Sequence, residues 1–77
     1  MTTRAYVLMT TEVGKAIEVT EQLRQLPGVR AADVVTGTYD VVLVLEAGTT
    51  SDIGRLVLTQ IHGTPGLKGT LTLIAVS

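Results

Sequence analysis

The chain has 77 residues, 45% of them apolar and 17% charged, with a formal net charge of −1 at pH 7. A domain of this length buries only about 60% of its unfolded-state surface, and it has no cysteine for a disulfide and only His62 as a histidine for a zinc site, so partner chains remain as a source of added stability. Basic and acidic residues are interspersed, which leaves no basic stripe for a phosphate backbone, and no segment approaches the roughly 20 apolar residues that span a bilayer; the expectation is one domain over residues 1–77, cytoplasmic, with no membrane and no direct nucleic-acid partner.

In chain order, Arg4 to Thr11 (RAYVLMTT) is rich in β-branched and aromatic residues and predicts a first strand. After Gly14, the stretch KAIEVTEQLRQL sets Ala16, Ile17, Val19, Leu23 and Leu26 on a stripe at helical spacing. Pro27-Gly28 stops that helix. VRAADVVTG predicts a weaker second strand and, past the Gly37 turn, DVVLVLE a third, close enough to pair with it as a hairpin. In the second helix, Thr49, Thr50 or Ser51 supplies the cap and Asp52 sits in the first turn. Ile53, Leu56, Val57 and Ile61 form its apolar stripe, and Gly63 with Pro65 ends it. LKGTLTLIAV predicts the fourth strand.

LRQLPGVRAADVV and IHGTPGLKGTLTL share one pattern: helix end, Pro-Gly, an apolar residue, a basic residue, then a strand. Two such halves predict an α+β, ferredoxin-like split βαβ unit (βαββαβ). Right-handed crossovers then put two helices on one face of a four-stranded antiparallel sheet and leave the other face bare. Val42 and Val44 point to the face opposite Val41, Leu43 and Leu45, as Tyr6, Leu8 and Thr10 oppose Ala5, Val7 and Met9, and Leu71 and Leu73 oppose Ile74. Apolar side chains on both faces predict a cover for the bare one, most simply a second copy of the same sheet about a two-fold axis, a dimeric α+β barrel.

The residues speak against chemistry on that face. Two tyrosines with no Phe or Trp do not make a base-stacking platform, and the loop TTEVGK lacks the thiols of a copper carrier. A nucleophile needs a base in reach, and the single imidazole, His62, reads as a helix-end residue that favours the helix C-terminus. The acids are scattered, and no cofactor is predicted. Gly54, inside the second helix, is either tolerated or permits a close backbone approach. The most loaded stretch is VTGTYDVV: Gly37 provides positive φ, and Asp40 either bonds local amides or offers a carboxylate, beside Tyr39, to a cationic amine.

LPGV (Leu26 to Val29), VTGTYDVVLVLE (Val35 to Glu46) and IHGTPGLKGTLTLIAV (Ile61 to Val76), with IGRLVLTQI between the last two, carry a resemblance to a known family. The chain is similar to the ligand-binding and oligomerisation (RAM) domain of the Lrp/AsnC transcription regulators. That resemblance implies a non-catalytic module that binds a small-molecule amino acid and forms homodimers, which assemble into rings of four or five dimers. It implies a pocket lined by Gly37, Tyr39 and Asp40, with Thr70 and Thr72 of the last strand as further candidates, and Asp40 paired with the ligand ammonium. Family regulators carry an N-terminal helix-turn-helix domain, whereas here the first strand is expected within a few residues of Met1. The expectation is therefore a stand-alone domain that does not read DNA, with full-length family regulators among its possible partners. Two alternatives stand beside it: a small dimeric α+β-barrel enzyme of the cofactor-free monooxygenase type, and a purely structural oligomerisation partner.

Overall fold

Alternation of small or apolar residues with larger polar ones builds β1 (Thr3–Thr11), whose Ala5, Val7, Met9 and Thr11 are buried while Arg4 and Tyr6 stay exposed. The structure, a computed structural model, describes residues 2–76. After β1 come α1 (Ala16–Arg24), β2 (Val29–Val34), β3 (Val41–Ala47), α2 (Thr50–Leu56), a wider helical segment α3 (Val57–Ile61) that continues α2, and β4 (Leu67–Ile74). The sheet order is β2-β3-β1-β4, with every neighbouring pair antiparallel. This is the expected βαββαβ arrangement, with the hairpin of β2 and β3 in place.

Both helices lie on one face. Val19 and Leu23 of α1, Ile53 of α2, and Val57 and Ile61 of α3 are buried in one core with the sheet residues Ala5, Val7, Met9, Ala32, Val41, Leu43 and Leu45. The α1 stripe differs from expectation at one residue. Ile17 is 65% exposed, and Thr20 is buried in its stead. Ala16, Val19, Thr20 and Leu23 hold the i, i+3, i+4, i+7 positions, and the Thr20 hydroxyl satisfies itself by donating to the Ala16 carbonyl at 2.8 Å. The helix is also shorter than its periodic pattern, because turn-like bonds from Gln25 N–H to Gln22 O and from Leu26 N–H to Leu23 O close it.

Thr49 is the cap of α2, its side chain accepting from the Asp52 amide at 3.1 Å. The wide winding of α3 was not expected. Ile53, Val57 and Ile61 recur every four residues, and at 3.6 residues per turn each such step overshoots by about 40°. Looser winding over Val57–Ile61, seen in the His62 N–H to Val57 O bond of 2.9 Å, takes up that overshoot and keeps all three side chains on the sheet. Beyond its chain neighbours and its own helix backbone, Gly54 has no atom of the described residues within 4 Å of where a Cβ would stand, so no close approach among them requires it.

The two Pro-Gly turns match in conformation as well as sequence, with φ of 92° at Gly28 and 88° at Gly66. Gly28 lies tight against β3: its carbonyl accepts from the Glu46 amide at 2.9 Å, and a Cβ there would stand 3.1 Å from Leu56 Cδ2. On the far face of the sheet, Tyr6, Leu71 and Leu73 are 37%, 44% and 47% exposed, and Val42 and Val44 are only partly covered. Val41 to Leu45 is thus buried on one side only within the chain. No helix among the described residues is long and apolar enough to cross a membrane.

Candidate functional site

The turn between β2 and β3 is held at its base by the Val35 N–H to Asp40 O bond of 2.8 Å. β2 ends at Val34 rather than running to Gly37, and β3 starts at Val41 rather than Asp40. Gly37 sits exposed at the tip with φ 136°, a conformation that disfavours a side chain, and Tyr39 and Asp40 are half-buried.

Asp40 is fixed at two points on β1. Its amide donates to the Met9 carbonyl at 2.8 Å, and its Oδ2 accepts from the Thr11 amide at 2.9 Å. Both β1 groups face β3, whose backbone pairing with β1 runs from Ala47 only as far as Val41 opposite Met9. The carboxylate therefore supplies the acceptor that a continuing strand would have given Thr11. The sequence offered local amides as the alternative to a ligand for Asp40; the amide that its carboxylate accepts from instead lies 29 residues away. Among the described residues, Oδ1 has no hydrogen-bond partner.

Thr70 lies opposite Met9 on the other side of β1, and Thr72 lies opposite Val7. Val41, Met9 and Thr70 thus form one row across three strands, with the Asp40 turn at one end and Thr70 at the other. Two strand spacings amount to roughly 10 Å. Turn and threonines share a region of the sheet but are separated by β1. Thr70 belongs to a shallow cleft of about 300 Å3 lined by His62, Leu67, Lys68 and Gly69 besides itself. The His62 Nε2 and Thr70 Oγ1 atoms are hydrogen-bonded at 3.1 Å, the ring tautomer setting which one donates. His62 follows the helix end as its sequence position implied, but its contact with Thr70 was not legible, because it depends on how α3 meets β4.

A second polar group escaped the sequence. Arg4 donates through Nε and Nη2 to Glu46 Oε2 at 3.2 and 2.8 Å, and Arg30 Nε donates to Oε1 at 3.1 Å. The hydrogen bond from Arg4 holds the Glu46 carboxyl below its ordinary range; partial desolvation pulls the other way, and Arg30 adds to the lowering. The same contact raises the Arg4 guanidinium, with Tyr6 contributing. Only the register, which sets Arg4 opposite Glu46, brings these charges together.

The Lrp/AsnC ligand binding domain matches residues 4–77. The chain belongs to this family. It is a family of regulatory ligand-binding domains, not of catalysts, which removes the monooxygenase alternative. Among curated relatives, an uncharacterized HTH-type transcriptional regulator of Pyrococcus furiosus is 28% identical over 95% of this chain and 51% of its own length. The chain spans about half the length of that relative. Among solved structures, a hypothetical protein of Pyrococcus horikoshii shares 36% identity and a TM-score of 0.91, covering 100% of this chain and 92% of its own. A Thermus thermophilus protein has a TM-score of 0.92 at 27% identity, covering 97% and 94%. E. coli AsnC shares the fold with a TM-score of 0.90 at 16% identity, covering 97% of this chain and 51% of its own.

Proposed function

We propose that this Lrp/AsnC ligand-binding domain is a self-associating, amino-acid-binding effector module that acts in transcriptional regulation through a partner and does not itself read DNA. The observation that carries the reading is the turn geometry. Asp40 is held by β1 through Oδ2 and its amide, and among the described residues Oδ1 has no hydrogen-bond partner, which leaves it able to accept from an ammonium group. A Neisseria meningitidis regulator that shares the fold at 17% identity is in complex with L-methionine, as is a Mycobacterium tuberculosis feast or famine regulatory protein at 18%. These complexes support an α-amino acid as the ligand class.

The ammonium and carboxylate of an α-amino acid hang from one carbon, so both are read at the turn, by Asp40 and by backbone near Gly37 and Tyr39. Thr70 and Thr72, across β1, reach at most the far end of such a ligand or one held by a neighbouring copy. Face-to-face dimers, with the apolar open face as their contact, and rings of dimers complete the pocket from outside the chain. The cytoplasm is the compartment that suits this role. One observation favours the alternative of a purely structural oligomerisation partner: Asp40 already has a role in the fold through Thr11.

A thermal-denaturation screen against the standard amino acids, at fixed protein concentration, tests the proposal. A ligand that binds only the native state raises the melting temperature by mass action. A shift with at least one amino acid is expected. No shift with any of them at millimolar concentration would leave the structural role.

A further inference from the structure

The two halves of the chain repeat one hydrogen-bond scheme. In the first, the Glu46 amide donates to the Gly28 carbonyl at 2.9 Å and the Val29 amide to Leu26 at 3.2 Å. In the second, the Glu12 amide donates to Gly66 at 2.7 Å and the Leu67 amide to Thr64 at 3.3 Å. Each half then shifts register at its basic residue, Arg30 in β2 and Lys68 in β4. The residue after the buried Leu23 or Ile61 is Arg24 in one half and His62 in the other, and each reaches a partner eight residues on. Here the halves part. Arg24 donates to the Ala32 backbone carbonyl through Nε at 3.1 Å and Nη2 at 2.7 Å. His62 bonds only the side-chain hydroxyl of Thr70, at 3.1 Å.

We infer that Arg24 closes the outer edge of β2 to the addition of a further strand, a cover that the repeat-equivalent His62 does not give β4. β2 and β4 are the two edges of the sheet, and an unpaired edge is a template for an incoming strand. In an antiparallel ladder, residues alternate between bonding the neighbour and pointing away from it. The Val35 amide bonds Asp40, so Asp33 and Ala31 direct their backbone to β3, opposite Val42 and Val44. Ala32 and Val34 therefore direct theirs outward. The carbonyl that Arg24 occupies is one of these, and a strand arriving at β2 must displace the guanidinium to bond there. On β4 the Ala75 amide donates to Arg4, so Leu73 and Leu71 face β1 while Ile74, Thr72 and Thr70 direct their backbone outward. Fastening α1 to β2 does not require Arg24, because the Leu26 to Leu23 and Val29 to Leu26 backbone bonds already close that connection.

Arg24→Ala tests the cover, since alanine suits this exposed helix position and removes every donor. Sedimentation velocity over a concentration series, with the infrared amide I band of intermolecular strands, reads association beyond that of the unmodified protein. Displacing a charge-assisted hydrogen bond corresponds to roughly one to two decades in an association constant. Arg24→Ala should therefore reach a given degree of added association at a concentration lower by about tenfold or more. Ile61→Val, a truncation in the buried core, sets the level that lowered stability alone produces. Adding Val34→Pro to Arg24→Ala should return association to that level. The Val34 amide points outward, so proline there removes no ladder bond but denies an incoming strand its donor. If the proline chain does not fold by circular dichroism, Val34→Lys on the same background blocks the edge by its charge instead. Arg24→Ala that associates no more than Ile61→Val would overturn the inference. So would added association that persists in the folded double variant, because it would not run through the β2 edge.

Discussion

Replacing Asp40 by alanine removes the acceptor for the Thr11 amide, a partly buried bond of 2.9 Å at the end of the sheet. A hydrogen bond to a charged group is worth about 1.5–3 kcal/mol. The site is half-buried, so solvent can partly repair the loss and the lower end applies, about 1.5 kcal/mol. At about 4–8 °C per kcal/mol for a domain of this size, Asp40→Ala should melt roughly 6–12 °C lower. Asp40→Asn keeps a carbonyl acceptor in place and loses only the charge assistance, so its melting temperature should fall between those of Asp40→Ala and the unmodified chain. Circular dichroism melts of the three proteins at one concentration make the comparison, because association makes the melting temperature depend on concentration. If Asp40→Ala melts with the unmodified protein, the carboxylate does not complete the β1 ladder and the reasoning from that bond fails.

Further outcomes follow from the packing and from the Glu46 ion pair. Leu43→Ala, at a fully buried core position, should cost about 2–5 kcal/mol in denaturant unfolding, whereas Val44→Asp, one residue on and on the opposite face, should abolish the proposed dimer and leave unfolded or aggregated chain in sedimentation. Gly28→Ala should destabilise the chain by more than about 1 kcal/mol, since φ is 92° and the added Cβ would stand 3.1 Å from Leu56 Cδ2; a melt unchanged from the unmodified chain would contradict this. The Glu46 carboxyl is lowered from 4.5, chiefly by its bond from Arg4. Its contribution is therefore fully present above 4.5 and lost as pH falls through the lower folded value. The stability gap between the unmodified chain and Glu46→Gln should close over that acidic window and stay constant between pH 6 and 8.

The element order, the strand parities and the open apolar face were legible because hydrophobic period and Pro-Gly punctuation are local signals. Val41, Leu43 and Leu45 share one face as their alternation implied, the packing of the helices making it the buried one, and the repeated Pro-Gly turns took nearly the same φ. What was not legible depends on contacts between distant segments. Ile17 and Thr20 both suit the edge of a helical stripe, and only the docking angle of α1 chooses between them. The loosened turn at Val57–Ile61 requires knowing that Ile53, Val57 and Ile61 must all reach one flat sheet. At the candidate site, the turn of Gly37, Tyr39 and Asp40 stood out by composition, but the Thr11 partner of Asp40 and the Arg4–Glu46–Arg30 group exist only through strand register. The distance between that turn and Thr70 was invisible for the same reason, since β1 is inserted between segments adjacent in neither sequence nor pattern.

Isothermal titration of the amino acid that most stabilises the chain, into the unmodified protein and into Asp40→Asn, tests the effector-binding account most directly. Saturable binding to the unmodified protein is expected, weakened in Asp40→Asn by roughly one to two decades, the equivalent of one charge-assisted hydrogen bond. Equal affinity in both proteins would contradict the assignment of Asp40 to the ligand ammonium, and no binding of any standard amino acid to the unmodified, folded protein would contradict the account itself.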